Sequence, residues 1–415
     1  MKCVLQHIAL AVLVVALWDM PGTAHGQLYV LSGDNSTGLQ YSEYDTTTGA
    51  QISAPFPGFS GFYGYLALSG NVLFVSSGSG GGSSPLVNTI SEYDTTSGAP
   101  IGPTFPNPPN VVQGLAASGN NLFVLTVVAG ADFDSSITTI YEYDATTGNE
   151  VATPFPTPPG IGTSLAVSGN KLFVLSEVRT GATTFDFQVT EYNTMTGAQI
   201  TTPFPNFQTS GLGCLAVSGN DLFVATDVGT STISEYDATT GAPVGTSFSN
   251  PTDNVESMAI WENNLFVLVA DTATSSLTIS EYNTTTGALV GTSFADPPGT
   301  VGNGVSGSLA VCDPFCGSYA GTNLNVSFWF GYYTTDTYPI IYEYNLGYEY
   351  VIPTAGGVYL YDYISGHFWY TQAGYFPFVY DFSLNCFLYY YHVASPTPHR
   401  HFYKFSAVNP GIITE

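Results

Sequence analysis

Six times the chain runs Glu-Tyr-Asp or Glu-Tyr-Asn into a Thr/Ser-rich turn that ends in Gly. The copies begin at Glu43, Glu92, Glu142, Glu191, Glu235 and Glu281, at successive spacings of 49, 50, 49, 44 and 46 residues. A second mark, Leu-Ala-Val-Ser-Gly-Asn-x-Leu-Phe-Val or a near copy of it, begins at Leu66, Leu115, Leu165 and Leu215, with a diverged form at Met258. Repetition at this period restricts the chain to architectures in which one small unit, unable to bury its own apolar face, stacks against copies of itself.

Each unit reads as four short strands. Leu-Ala-Val is strand a, Ser-Gly-Asn a tight turn, and Leu-Phe-Val strand b. Thr-Ile-Ser-Glu-Tyr alternates as strand c, Asp-Thr-Thr-Gly is a second turn, and segments such as Ala242-Pro243-Val244-Gly245 form an outer strand d, where an edge tolerates proline. The ends are complementary. The first unit starts at Gln27 with strand b, and an orphan strand a, Ser308 to Val311, follows the sixth turn. Joining them closes a ring and removes exposed strand edges. The expected fold is all-β: a six-bladed β-propeller over 27–312, closed by a C-terminal strand a and followed by a small antiparallel aromatic-rich hairpin domain over 313–415.

The blade motifs LAVSGNxLFV and TISEYDxTTG resemble those of bacterial extracytoplasmic β-propellers of the NHL/YVTN type over roughly two-thirds of the chain. The resemblance implies blades and no particular chemistry. Six-bladed calcium-dependent lactonases share the architecture and use carboxylate and amide oxygens in the channel. The resemblance therefore leaves an enzyme acting on a lactone or carbohydrate, with calcium, as an alternative.

The repeated Asp is Asn at positions 193 and 283, and only an Asx turn treats the two alike. The motif Glu reads as a solvated polar position near the blade's outer edge, the alternative being a ring of carboxylates that collects cations. The Tyr reads as inter-blade packing. Connections b–c and d–a lie together on one face and vary, as ligand-binding loops on rigid scaffolds do. They include Gly78 to Ser84, Ala129 to Ser136 and Glu177 to Phe187. Candidate ligand-binding residues there are Asp132, Asp134, Glu177, Arg179, Asp186, Asp253 and Glu256. No His occurs between residues 27 and 312, which removes His-based triads and His-ligated metals from the ring.

Residues 1–26 read as a signal peptide: Lys2, an apolar run from Ile8 to Trp18, Pro21-Gly22, then small residues before Gln27. The mature chain is expected to lie outside the cytoplasm, secreted or at the cell surface, with no transmembrane segment. Four cysteines remain; Cys312 and Cys316 are a disulfide candidate, and Cys214 packs inside a strand. With 31 acids against 5 Lys and Arg, a net charge of −26, the chain offers no cationic surface for nucleic acid or anionic lipid.

Composition changes after Asp313: residues 317–405 hold 29 of the 60 aromatics. A shorter period appears, Tyr342-Glu-Tyr-Asn-Leu-Gly, Tyr361-Asp-Tyr-Ile-Ser-Gly and Tyr380-Asp-Phe-Ser-Leu-Asn, with starts 19 residues apart. Each copy reads as strand, turn, strand. Exposed rings in such hairpins would contact glycan or cell wall, the candidates being Trp329, Trp369, Tyr370, Tyr389, Tyr390 and Tyr391; the alternative is core and cross-strand packing. His399 and His401 form a sparse metal candidate. The expectation is a non-catalytic binding or scaffold protein with a protein or glycan partner and no cofactor, the alternatives being the calcium-using enzyme and a structural envelope component.

Overall fold

The structure is a computed structural model that describes residues 27–414 apart from short stretches, the longest being 53–62, 298–306 and 392–399. The expected signal peptide, Trp329, Cys316 and His399 lie outside the described residues, and with Cys316 so does the disulfide candidate. The chain divides into two compact units, Gly26–Tyr333 and Thr334–Glu415.

The first unit is a six-bladed propeller. Blade 3 shows the pattern: strand a, Val111–Ser118; strand b, Asn121–Val128; strand c, Ile137–Asp144; and a two-residue strand d, Glu150–Val151, each antiparallel to the next. Blade 1 closes the ring as its ends predict. Ser308–Cys312 pairs with Gln27–Asp34, in the register Val30 to Leu309. Strands a adjoin around the ring, and a serine hydroxyl links several of them: Ser308 Oγ accepts from Leu66 N at 2.9 Å, Ser164 Oγ from Leu215 N at 3.0 Å, and Ser257 Oγ from Leu309 N at 3.0 Å. In blades 5 and 6 strand d shrinks to single bridges at Pro243 and Leu289.

What holds blade to blade is an aromatic wedge that recurs around the ring. Phe105, just past strand d of blade 2, meets Phe74 of its own strand b at 6.3 Å and Tyr143 of the next blade's strand c at 5.9 Å, both edge-on. Phe155 bridges Phe123 and Tyr192 likewise, and Phe248 bridges Phe223 and Tyr282. Phe294 carries the same contact from Phe266 of blade 6 to Tyr44 of blade 1. The motif Tyr is thus the inter-blade residue that its place in the repeat predicts. Its partner comes from the connection that follows strand d, at Phe105, Phe155, Phe248 and Phe294.

The repeated Asx is a turn device. Asp45 Oδ1 accepts from Thr48 N at 2.8 Å and Thr48 Oγ1 at 2.9 Å; Asn283 Oδ1 accepts from Thr286 N at 2.9 Å and Thr286 Oγ1 at 3.0 Å. The two bonds need an oxygen, not a charge. Asp45→Asn is therefore expected to leave the melting temperature unchanged, whereas Asp45→Ala costs about 1 kcal/mol by analogy with lost helix caps. Equal effects of the two substitutions would contradict the turn role.

The motif Glu departs from expectation. All six are buried, from Glu191 at 1% exposed to Glu235 at 8%. In blade 2, Glu92 lies between Phe74 of strand b and Ile101 of strand d in the ladder. A Cβ on Gly102, at φ +74°, would sit 1.4 Å from Glu92 Oε2, so the chain passes directly over the carboxylate. Strand d, short as it is, covers a position that sequence alone places at a wet edge.

The second unit is a meander. From Ile340–Glu343 through Gly347–Thr354, Gly357–Asp362, His367–Thr371, Phe378–Asp381, Cys386–Tyr390, His401–Phe405 and Gly411–Thr414, each strand pairs antiparallel with the next. Glu343, Asp362 and Asp381, one per 19-residue copy, fold their turns by accepting backbone N–H groups at Asn345, Ser365 and Leu384. No helix among the described residues is long and apolar enough to cross a membrane.

Candidate functional site

On the variable face of the propeller, part of the predicted cluster assembles between blades 3 and 4. Asp132 caps a 3-10 turn, Phe133–Ser135, accepting from Ser135 N at 2.9 Å, and the Ser135 bonds hold its carboxyl below the usual range. Arg179 reaches across from strand b of blade 4 to Asp134 Oδ2 at 2.9 Å and lies against the rings of Phe133 and Phe185, at 5.7 and 5.4 Å. The guanidinium is already answered by a carboxylate and two rings. An exposed pair of this kind contributes about 0–1 kcal/mol, so it adds little to the join between the two blades.

The other candidates sit on strands. Strands b and c of blade 4 extend to Arg179 and from Phe185, which puts Glu177 and Asp186 into the ladder opposite Phe187 and Val178. The Gly78 to Ser84 stretch is likewise a continued hairpin, with Gly78 opposite Asn88 and Gly81 opposite Ser84. Two expected loops are therefore mostly sheet. Asp253 and Glu256 belong to blade 6, away from this cluster. Glu256 sits at a register shift in strand a, between Val255 and Ser257, where burial pushes its carboxyl up to about 7. Its charge adds to the burial that raises the thiol of Cys214, which is buried within strand a of blade 5 as its sequence position predicts. Among the described residues no three His, Cys, Asp or Glu side chains gather at metal-ligand spacing.

The C-terminal sheet has two chemically distinct faces. Alternation puts Ile341, Val351, Leu360, Trp369, Val379, Leu388 and Phe402 on a buried face together with an ionic network. Arg400 forks onto Asp362 with two bonds of 2.7 Å, donates to Leu346 O at 2.8 Å, and lies over Trp369 and Phe402 at 5.3 and 5.5 Å. Burial raises the Asp362 carboxyl, but the bonds from Arg400 and Ser365 outweigh it and bring it below the usual range. Burial, then the charge of Asp362, drives Glu349 well above it. Trp369 donates Nε1–H to Asp381 at 3.0 Å and is fully buried, so it is a core residue and not the platform residue its composition suggested.

The opposite face is aromatic. In the register of five consecutive strands, Tyr359 stands opposite Tyr370, Tyr370 opposite Tyr380, Tyr380 opposite Phe387, and Phe387 opposite Phe405. At about 4.8 Å per strand the row is about 19 Å long. A second line runs Phe378, Tyr389, Tyr403, and a third Tyr350, Tyr361, Phe368. Neighbouring rings sit edge-on or tilted: Tyr359 and Tyr370 at 5.2 Å, Tyr380 and Phe387 at 5.1 Å, Phe378 and Tyr389 at 4.8 Å. Tyr370 and Tyr380 donate their hydroxyls to Gln372 Oε1 at 2.9 Å and Asn385 Oδ1 at 2.7 Å.

Many of these rings stay in solvent: Tyr348 is 56% exposed, and Tyr350, Phe378, Phe387, Tyr403 and Phe405 are exposed as well. Of the predicted platform residues, Tyr370 and Tyr389 lie on this face half-buried. Tyr390 packs instead on Phe402 of the buried face, and Tyr391 stacks on His401, whose Nδ1 lies 3.2 Å from Thr414 Oγ1. The most exposed rings, Tyr348 among them, escape a reading by composition; the strict i, i+2 alternation around the Tyr-Glu-Tyr, Tyr-Asp-Tyr and Tyr-Asp-Phe turns is the signal that finds them.

No protein-family model and no curated protein matches the chain. Among solved structures it is similar to the computationally designed Ika8 protein, at 16% identity over 74% of this chain and 94% of that one, with a TM-score of 0.40. It is also similar to the designed Ika4 protein, at 18% identity over 44% and 96% of the two chains, with a TM-score of 0.32. At these scores the likenesses add nothing to the fold established above.

Proposed function

We propose that the protein is a non-catalytic binding protein acting outside the cytoplasm, with the propeller as scaffold and the aromatic face of the C-terminal sheet as the contact for an extended polysaccharide. The five-ring row from Tyr359 to Phe405 is the observation that carries this reading. Sugar rings present C–H faces that pack on aromatic rings, and Tyr hydroxyls add hydrogen bonds at the ring edges. No charged residue interrupts the row, so nothing ionic must be desolvated when a neutral polymer lies along it. The signal-like segment at 1–26 supports the location, and the network around Arg400 supports the rigidity a flat contact needs.

The test is depletion of the full chain from solution by insoluble cellulose, chitin or peptidoglycan. At least one of these is expected to sediment the protein. Tyr370→Ser with Tyr380→Ser, checked for an unchanged far-ultraviolet spectrum, is expected to weaken the interaction by about tenfold or more, at about 1.4 kcal/mol per tenfold. Absence of depletion by all three polymers, or equal depletion of the variant, would overturn the reading.

A further inference from the structure

At one end of the aromatic face four rings border an open, shallow depression. Tyr375, Phe378, Phe387 and Phe405 line a cavity of about 410 Å³. Tyr375 belongs to the turn before the strand Phe378–Asp381, where its N–H bonds Gln372 O at 2.9 Å and its carbonyl accepts from Phe378 N at 2.8 Å. Phe387 and Phe405 are opposite each other in the register of two later strands. Phe378 and Phe405 stand 5.8 Å apart by their centroids, Tyr375 and Phe387 6.5 Å. All four rings are solvent-exposed, between 38% and 49%.

The lining selects its occupant by what it offers and what it lacks. A sugar lying along the row meets Phe387 and Phe405 with its C–H faces, but one seated among all four rings would find a single phenol hydroxyl for its own hydroxyls, which would lose water without replacement. An anionic head would meet the negative faces of the rings and a unit that holds six acids against Arg400 and Lys404 over 334–415. A cation bearing methyl groups in place of N–H fits on every count. It needs no hydrogen-bond acceptor, its methyls pack on the rings, and its charge is attracted both by the ring quadrupoles and by the acidic protein. We propose that this four-ring cavity binds a quaternary ammonium group. This goes beyond the polysaccharide reading: the cavity shares Phe387 and Phe405 with the five-ring row that carries that reading and adds Tyr375 and Phe378, which lie outside the row.

The experiment titrates the full chain by calorimetry with tetramethylammonium chloride, with choline, and with 3,3-dimethylbutan-1-ol, the neutral carbon isostere of choline. Both cations are expected to bind, and the isostere about tenfold more weakly. Tyr375→Leu with Phe378→Leu keeps an apolar lining while removing two ring faces, and is expected to abolish the preference for the cation. Equal binding of choline and isostere, a preference that survives in the leucine variant, or no binding of either cation would each overturn the proposal. Depletion by polysaccharide, run on the same leucine variant, is expected to persist, so the two readings fail separately.

Discussion

Raising the pH from about 5 to about 9 is expected to lower the melting temperature of the propeller, most steeply between about 5 and 7 and much less above about 8. The cause is the set of buried motif carboxyls. Burial pushes Glu43 and Glu92 from 4.5 to about 7 and raises Glu281 in the same direction, and Glu256 in strand a follows them. A carboxyl whose value is raised on folding favours the folded state when protonated. Its stabilisation is fully present below the unfolded value of 4.5 and is lost as the pH rises through the folded value. For Glu43, 3% exposed, the move from 4.5 to about 7 corresponds to about 3 kcal/mol between the two limits. The net charge of −26 adds self-repulsion with the same sign. Glu43→Gln keeps the shape and removes the titration, so it is expected to flatten the profile and to raise the melting temperature at about pH 9 while leaving it unchanged at about pH 5. A melting temperature that rises between those limits would contradict the burial of these groups.

Arg400→Met is expected to destabilise the C-terminal sheet by about 3–5 kcal/mol, because removing one partner of a buried pair leaves the other charge uncompensated. Arg400 is 5% exposed and holds Asp362 through both Oδ atoms, with Glu349 Oε1 at 3.9 Å. Without it, Asp362 keeps its bonds from the turn amides but loses the guanidinium that neutralises it. Native-state hydrogen exchange over the strands Gly357–Asp362 and His367–Thr371 reads the loss. Adding Asp362→Asn, which can still accept from the Ser365 amide, is expected to restore part of it. A change below about 1 kcal/mol in the single variant would mean that the pair is solvated and of ordinary surface value.

The ring was legible in the sequence because its constraints are local and repeated. Ser-Gly-Asn and Thr-Thr-Gly turns set the strand boundaries, and the missing strand a at Gln27 with the spare one at Ser308 gave the closure that Val30 and Leu309 make. The Asp/Asn exchange at 193 and 283 identified the turn role without coordinates. What the repeat could not convey was which side of strand c is covered. Burial of Glu92 depends on Ile101 of strand d and on Gly102 just after it, which have no pattern of their own. The wedge of Phe105, Phe155, Phe248 and Phe294 depends on contacts remote in sequence, 38 residues between Phe105 and Tyr143 and 250 between Phe294 and Tyr44. In the C-terminal unit the aromatic content was plain, but its division between two faces was not. Trp369 reads as a platform residue until Asp381 and Arg400, both remote in sequence, are seen to claim it.

A polysaccharide lying on the ring-bearing face of the C-terminal sheet would shield its rings from solvent. Hydroxyl-radical labelling of the intact protein, with and without soluble oligosaccharides of cellulose and chitin, tests it ring by ring. In the free protein Tyr348, Tyr350 and Tyr403 are expected to label readily and buried Trp369 not at all. With the bound oligosaccharide, labelling along Tyr359, Tyr370 and Tyr380 is expected to fall while exposed Met195 in the propeller is unaffected. Labelling of the face that is the same with and without every oligosaccharide, or protection confined to the propeller, would contradict the account.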